Sequence, residues 1–173
     1  MPTPRTEKDV RSFLEHIQYI SRFIAQLTPI CEPLFKLLRK NVLTQWNNDC
    51  QIAFDKIKSY LLSPPVLISP EPDRPLILYL TVHDNSMGCV LGQHDRIGKK
   101  EQAIYYLSKR FIDYETRYTP LEKTCLALVH PTKRLHHYFL SYKVFLISRM
   151  DPIKYLFEKP DIIGRTTQWL MML

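Results

Sequence analysis

Residues 76–111 read LILYLTVHDNSMGCVLGQHDRIGKKEQAIYYLSKRF, and this stretch decides the fold. Leu76 to Val82 is a continuous apolar run with β-branched and aromatic members, the pattern of a strand buried on both faces. His83-Asp84-Asn85-Ser86 supplies a polar turn, and Met87 to Gln93 returns as a second strand. A polar turn containing Gly98 leads into a third strand, Glu101 to Lys109. Connections this short imply three strands in meander order.

Toward the C-terminus, Thr119-Pro120-Leu121-Glu122 combines a capping box with proline at the first helical position. The long helix that follows has Leu121, Cys125, Leu128, Thr132, Leu135 and Phe139 as its inner face. Pro131 lies inside it, where a lost backbone bond and a clash with the preceding turn cost about 3 kcal/mol, so either a kink there or relaxed selection on this copy is expected. KVFLIS (143–148) is a fourth strand, Asp151-Pro152 opens a short helix through Phe157, and a last helix starts at Gly164 and is cut off at Leu173.

Toward the N-terminus the texture is helical. Thr6 and Asp9 form a capping box, behind which Val10, Phe13, Leu14, Ile17, Ile20 and Ile24 define one stripe. A second helix is expected from Cys31 to Lys40 with Pro33 in its first turn. Asn47 or Asn48 caps a third, with Cys50, Ala53, Phe54, Ile57, Tyr60 and Leu61 on its apolar face. Between helices and strands, SPPVLISPEPDRP holds five prolines in thirteen positions, too many for a helix or a central strand. The chain therefore divides into a helical segment (1–62), a proline-rich linker (63–75) and an α+β domain (76–173) that is incomplete at its C-terminal end.

With 45% apolar and 24% charged residues in 173, the balance is that of a globular chain. No run approaches the roughly 18 apolar residues of a membrane span, and the first ten residues are too polar for a signal peptide, so an intracellular protein without membrane partners is expected. Cys31, Cys50, Cys89 and Cys125 lie far apart among apolar neighbours, the usage of reduced core thiols. A net charge of +7 suits a polyanionic partner and equally serves solubility.

Several strings carry a resemblance to a known family. VRSFLEHIQYISRFI, EPLFKLLRK and W-x-x-x-C-x-x-AF-x-x-IK resemble the thumb end of gypsy-type LTR retrotransposon reverse transcriptases. MGCVLGQ, AIYYLSKRF, RYTPLEKTCLALV and RMDPIKYLFEKP resemble the RNase H-like domain that follows the thumb in those polyproteins. The details are most similar to plant elements in which this domain is degenerate and a second, active RNase H follows. The resemblance implies a thumb-like segment joined to an RNase H-like mixed sheet with flanking helices. It also implies an upstream polymerase palm and downstream RNase H or integrase regions as partners, RNA–DNA hybrid nearby, and a cytoplasmic virus-like particle or the nucleus as location.

RNase H chemistry uses two divalent ions about 4 Å apart, and hard Mg²⁺ demands a cluster of carboxylates. Active relatives place an Asp at the end of the first strand, a Glu in the helix motif E-K-E-L-L-A and an Asp in a T-D-H motif after the fourth strand. On those motifs this sequence carries Thr81, Thr124 (in E-K-T-C-L-A) and Arg149 (in S-R-M), so no catalytic or metal-binding residue and no cofactor is expected. Neighbouring acids are out of register: Asp84 is three residues past Thr81, Glu122 lies about 200° around the helix from Thr124, and Asp151 suits an N-cap.

The other polar clusters are plainer. His130, His136 and His137 do not stack two rings on one helix face and read as packing or solvated residues. Lys36, Arg39, Lys40, Lys99, Lys100, Lys109, Arg110, Lys133 and Arg134 read as solvated or helix-end charges, and the resemblance makes them candidates for phosphate contact. Three functions follow: a non-catalytic connection beside the template–primer, an active hybrid ribonuclease, or a transposon relic without a role.

Overall fold

The computed structural model describes residues 3–4, 6–38, 45–95, 98, 100–158 and 165–171. Three helices come first: α1 (Glu7–Tyr19), α2 (Leu27–Leu37) and α3 (Asn48–Leu62). Thr6 and Asp9 close the expected capping box on α1, and Asn47 caps α3 by accepting from the Cys50 amide at 2.9 Å. Their apolar faces make one core in which Phe54, Leu34 and Ile57 are fully buried.

Two expectations for this segment need correction. The stripe running to Ile24 is not one helix: α1 stops at Tyr19 and a short 3₁₀ turn over Ser21–Phe23 follows. Helix α2 begins at Leu27, a turn earlier than Cys31, after Gln26 in a left-handed conformation (φ 53°). Pro33 therefore sits in the helix interior. A proline-at-the-start reading placed the start too late, because the tertiary burial of Leu27 and Ile30 carries the helix through it. Arg39, Lys40 and Lys99 lie outside the described residues.

The sheet has the order β3-β2-β1-β4, with β1 Leu76–Val82, β2 Ser86–His94, β3 Glu101–Arg110 and β4 Val144–Ile147. The β1–β2 and β2–β3 pairs are antiparallel, and β1–β4 is parallel. Gly98 turns the chain between β2 and β3 with φ 71°, a conformation glycine adopts without a Cβ penalty. A parallel partner for β1 requires a crossover, and α4 (Pro120–Arg134) with α5 (His136–Ser141) provides it. Thr119 and Glu122 form the capping box of α4.

One face of the sheet packs on this crossover. Leu76, Leu78, Leu80, Cys89 and Leu91 meet Leu128 and Leu135 in a single cluster. Val129 and Cys125 turn to a second cluster with Leu156 of α6 (Pro152–Glu158) and Trp169 of α7 (Arg165–Leu170). The crossover is not one long helix: it breaks at Leu135, one turn after Pro131, and Leu135 takes φ −115° and ψ 23° before α5 resumes. Pro131 is itself buried, so its ring packs in the layer while its missing amide weakens the ladder there.

The helical segment covers the other face near β3. The Thr28 amide and hydroxyl both meet the Ser108 hydroxyl, at 3.2 and 3.0 Å. Arg22 lies over the Tyr105 ring at 5.1 Å, and Arg110 over Phe35 at 6.0 Å.

Residues 63–70 carry neither helix nor strand, and they are fastened to the sheet. The Ile68 amide donates to Ala103 O at 3.0 Å. Gln93, 1% exposed, accepts from the Glu71 amide at 2.8 Å and donates to the carbonyls of Glu71 and Arg74 at 3.1 and 3.0 Å. A buried amide spent entirely on backbone groups leaves them stranded when it is removed. Gln93→Leu is expected to lower the unfolding free energy by about 1–3 kcal/mol in a urea titration with unchanged slope. A midpoint equal to that of the natural chain would mean the strap is held without it.

Candidate functional site

The three positions expected to mark the family's metal site gather round the C-terminal ends of β1 and β4. Tyr79 pairs with Ile147 at the last position of the parallel ladder, and Thr81 and Arg149 each follow that pair by two residues. Thr124, on the second turn of α4, lies with its hydroxyl 4.0 Å from the Met150 sulfur, next to Arg149. The side chains do not share one face. Thr81 pairs with Gly88, and Gly88 with Ser108, which bonds to α2. Strand alternation therefore turns Thr81 toward α2, while Leu80 faces α4.

None of the three offers what a divalent ion needs. The Thr124 hydroxyl, on a residue 4% exposed, donates to Pro120 O at 2.8 Å. Thr81 and Arg149 are exposed, and the guanidinium is a permanent cation with donors only. Two of the nearby acids are occupied elsewhere. Glu122 accepts from the Thr119 amide at 2.9 Å, and Asp151 caps α6 through the Lys154 amide at 2.9 Å. Asp84 is exposed, and its backbone carbonyl accepts from Lys123 Nζ at 2.9 Å. Among the described residues no three His, Cys, Asp or Glu side chains gather as a metal cluster. The residues present do not fit a two-metal centre.

The basic candidates separate by their partners. Lys36 faces Glu32 at 3.6 Å along α2. Lys109 is bonded at 2.7 Å to Glu115, a carboxylate 4% exposed that also accepts from the Ile112 amide at 3.0 Å. Lys100 and Lys133 are exposed. Arg110 is half-buried against Phe35, and Arg134 ends α4 in an exposed position.

Arg110 and Arg134 both line a groove of about 540 Å³ along the outer edge of β3, between the helical segment and α4. Among its polar residues, Arg11 was not singled out by the sequence and His130 was read there as a packing or solvated residue. His130 precedes Arg134 by one helical turn, a spacing that is a signal in itself, but nothing in the sequence ties α4 to α1. Burial, with Lys109, Arg134 and Lys133 nearby, pushes the His130 imidazole down to about 4, against a smaller opposing effect of Glu115. His136 and His137 are exposed on α5.

Comparison with known proteins places this architecture. The family described as the RNase H-like domain found in reverse transcriptase matches residues 46–146, from the cap of α3 to β4. The transposon Tf2-3 and Tf2-4 polyproteins of Schizosaccharomyces pombe (strain 972 / ATCC 24843) are each 31% identical over 165 residues. That alignment covers 95% of this chain and 12% of each polyprotein, so the chain spans about an eighth of those relatives. The foamy viral protease-reverse transcriptase dRH in complex with ds DNA matches 99% of the chain and 30% of its own length, at TM-score 0.75 and 20% identity. The foamy viral protease-reverse transcriptase in complex with RNA/DNA hybrid matches 99% of the chain and 24% of its own length, at TM-score 0.67 and 23% identity. At that identity the two structures establish the shared fold. No helix among the described residues is long and apolar enough to cross a membrane. With the meander, the parallel fourth strand and the crossover helix in place, the chain belongs to the RNase H-like domains found in reverse transcriptase, of the LTR-retrotransposon type.

Proposed function

We propose that this chain is a non-catalytic RNase H-like connection in a retrotransposon reverse transcriptase. In this reading it lies beside the template–primer, between an upstream polymerase palm and downstream RNase H or integrase regions, in a cytoplasmic particle or the nucleus. The observation that carries the reading is the chemistry at the ends of β1 and β4, where a threonine and an arginine each follow the last ladder pair by two residues and a second threonine donates its hydroxyl to Pro120 O. Two divalent ions need several anionic oxygens to offset their mutual repulsion. A neutral hydroxyl supplies none of that charge. A guanidinium at the same end of the sheet adds repulsion, which at 4 Å would be about 1 kcal/mol per pair of unit charges in water and more where water is displaced.

The position beside nucleic acid is supported by the net charge of +7 and by the fold shared with two polymerases whose structures contain ds DNA and an RNA/DNA hybrid. Contact of this kind is mostly to phosphates and is indifferent to base sequence.

Two measurements test the reading. The purified chain is expected to leave a labelled RNA–DNA hybrid intact in Mg²⁺ and in Mn²⁺, beside the triple variant Thr81→Asp, Thr124→Glu, Arg149→Asp. Metal-dependent cutting by the natural chain would overturn the non-catalytic reading, and cutting by the triple variant alone would identify these positions as the lost site. Separately, the hybrid is expected to bind with an affinity that falls as salt rises, by about 0.9 in the logarithmic slope for each phosphate neutralised. An RNA–DNA hybrid that fails to bind at low salt would remove the template–primer from the proposal.

A further inference from the structure

The groove along β3 has a composition that the fold does not require. Phe35, Leu38 and Leu107 line it as half-buried apolar residues, while Arg11, Lys109, Arg110 and Arg134 bring four cations against one lining carboxylate, Glu15. Two of those cations are already committed: Arg11 pairs with Glu7 at 2.9 Å and Lys109 with buried Glu115. Among the described residues Arg110 and Arg134 have no carboxylate at ion-pair distance. The bland account is a pair of solvated arginines on a surface, but their setting differs from that. Arg110 is half-buried with its guanidinium over Phe35, which limits its rotamers and leaves its N–H edges free to grip a planar or tetrahedral anion.

We propose that this groove is a phosphate site for a nucleic-acid strand, in which Arg110 and Arg134 contact the backbone phosphates of one strand and the apolar lining takes an adjoining sugar or base. The inference rests on the nucleic-acid reading above and deepens it by naming the residues. A volume of about 540 Å³ is that of a ligand-sized site and suits a nucleotide unit of one strand. The low protonation tendency of half-buried His130 agrees, since it registers burial together with the positive field of Lys109, Arg134 and Lys133. A phosphate seated there would offset that field and draw the imidazole back toward its ordinary value.

The test uses the full chain and two double variants that remove equal charge, Arg110→Gln/Arg134→Gln in the groove and Lys56→Gln/Lys154→Gln at exposed positions that do not line it. Binding of a fluorescent single-stranded oligonucleotide and of an RNA–DNA hybrid is followed by anisotropy over a salt series. The groove variant is expected to bind about tenfold or more weakly and to lose about one to two units of salt slope, with the distant variant within about twofold of the natural chain. Arg110→Lys, which keeps the charge, recovers part of the loss, and thermal melts confirm that each variant folds. Equal losses in both double variants, or none in the groove variant while the natural chain binds, would overturn the groove and leave the general nucleic-acid reading standing.

If the natural chain binds neither oligonucleotide, the wider reading fails, and the groove is judged separately by NMR of the His130 ring. Titration with a nucleoside monophosphate that raises its pKa from about 4 in the natural chain, and not in the groove variant, supports the phosphate site. No shift sinks it. The same rise with inorganic phosphate alone would mark a free-anion site and overturn the strand.

Discussion

The parallel pairing of β4 with β1 is the constraint on which the rest of the structure depends. Antiparallel neighbours can be joined by a few residues, but a parallel neighbour has to be reached by a covered crossover. That crossover lays α4 on the face presented by Leu76, Leu78 and Leu80 and buries Leu128 and Leu135 against them. The capping box at Thr119, the break at Leu135 and the return through α6 follow from fitting this layer to the sheet. The helical segment has what remains, the flank near β3, and it holds there by the Thr28–Ser108 contact and two arginine-on-aromatic stackings.

Nothing in that scheme asks for a carboxylate at the ends of β1 and β4. A cluster of like charges is a burden on the folded state until metal ions neutralise it. Replacement by threonine and arginine costs the scaffold little and removes self-repulsion. Architecture and chemistry are thus separable in this fold. The core clusters of Leu76–Leu135 and Val10–Ile57 stand without any contribution from Thr81 or Arg149, both of which are exposed.

Much of the fold could be read from the sequence because its signals are local. The run LILYLTV gives β1 at its observed bounds, and β2 and β3 agree to within one residue at each end. Both capping boxes were visible as Thr-x-x-Asp and Thr-x-x-Glu. The late start given to α2 came from Pro33, whose local penalty says little about whether tertiary burial will absorb it, and the interruption expected at Pro131 falls one turn later, at Leu135. The site was less legible. The identities at 81, 124 and 149 could be aligned to motifs, but the alternation that turns Thr81 toward α2 needed the sheet. Lys109 looked like an interface cation until the structure paired it with Glu115, a buried acid that no periodicity singles out. The groove joins residues 11, 110, 130 and 134, a neighbourhood that only the packing of α1 and α4 on either side of β3 creates.

The four cysteines are all buried and unpaired, and they are spread through the molecule's layers. Cys31 and Cys50 sit in the helical core, Cys89 between sheet and crossover, and Cys125 in the cluster with Leu156 and Trp169. Burial pushes the thiols of Cys31, Cys89 and Cys125 up to about 12, so in the closed state they are protonated as well as shielded. Alkylation at each position then waits on the opening of its own layer. Peptide mapping of a timed alkylation would read how cooperatively the three cores come apart, without an added probe. A chain whose two halves breathe independently would label Cys31 and Cys50 on a clock different from that of Cys89 and Cys125.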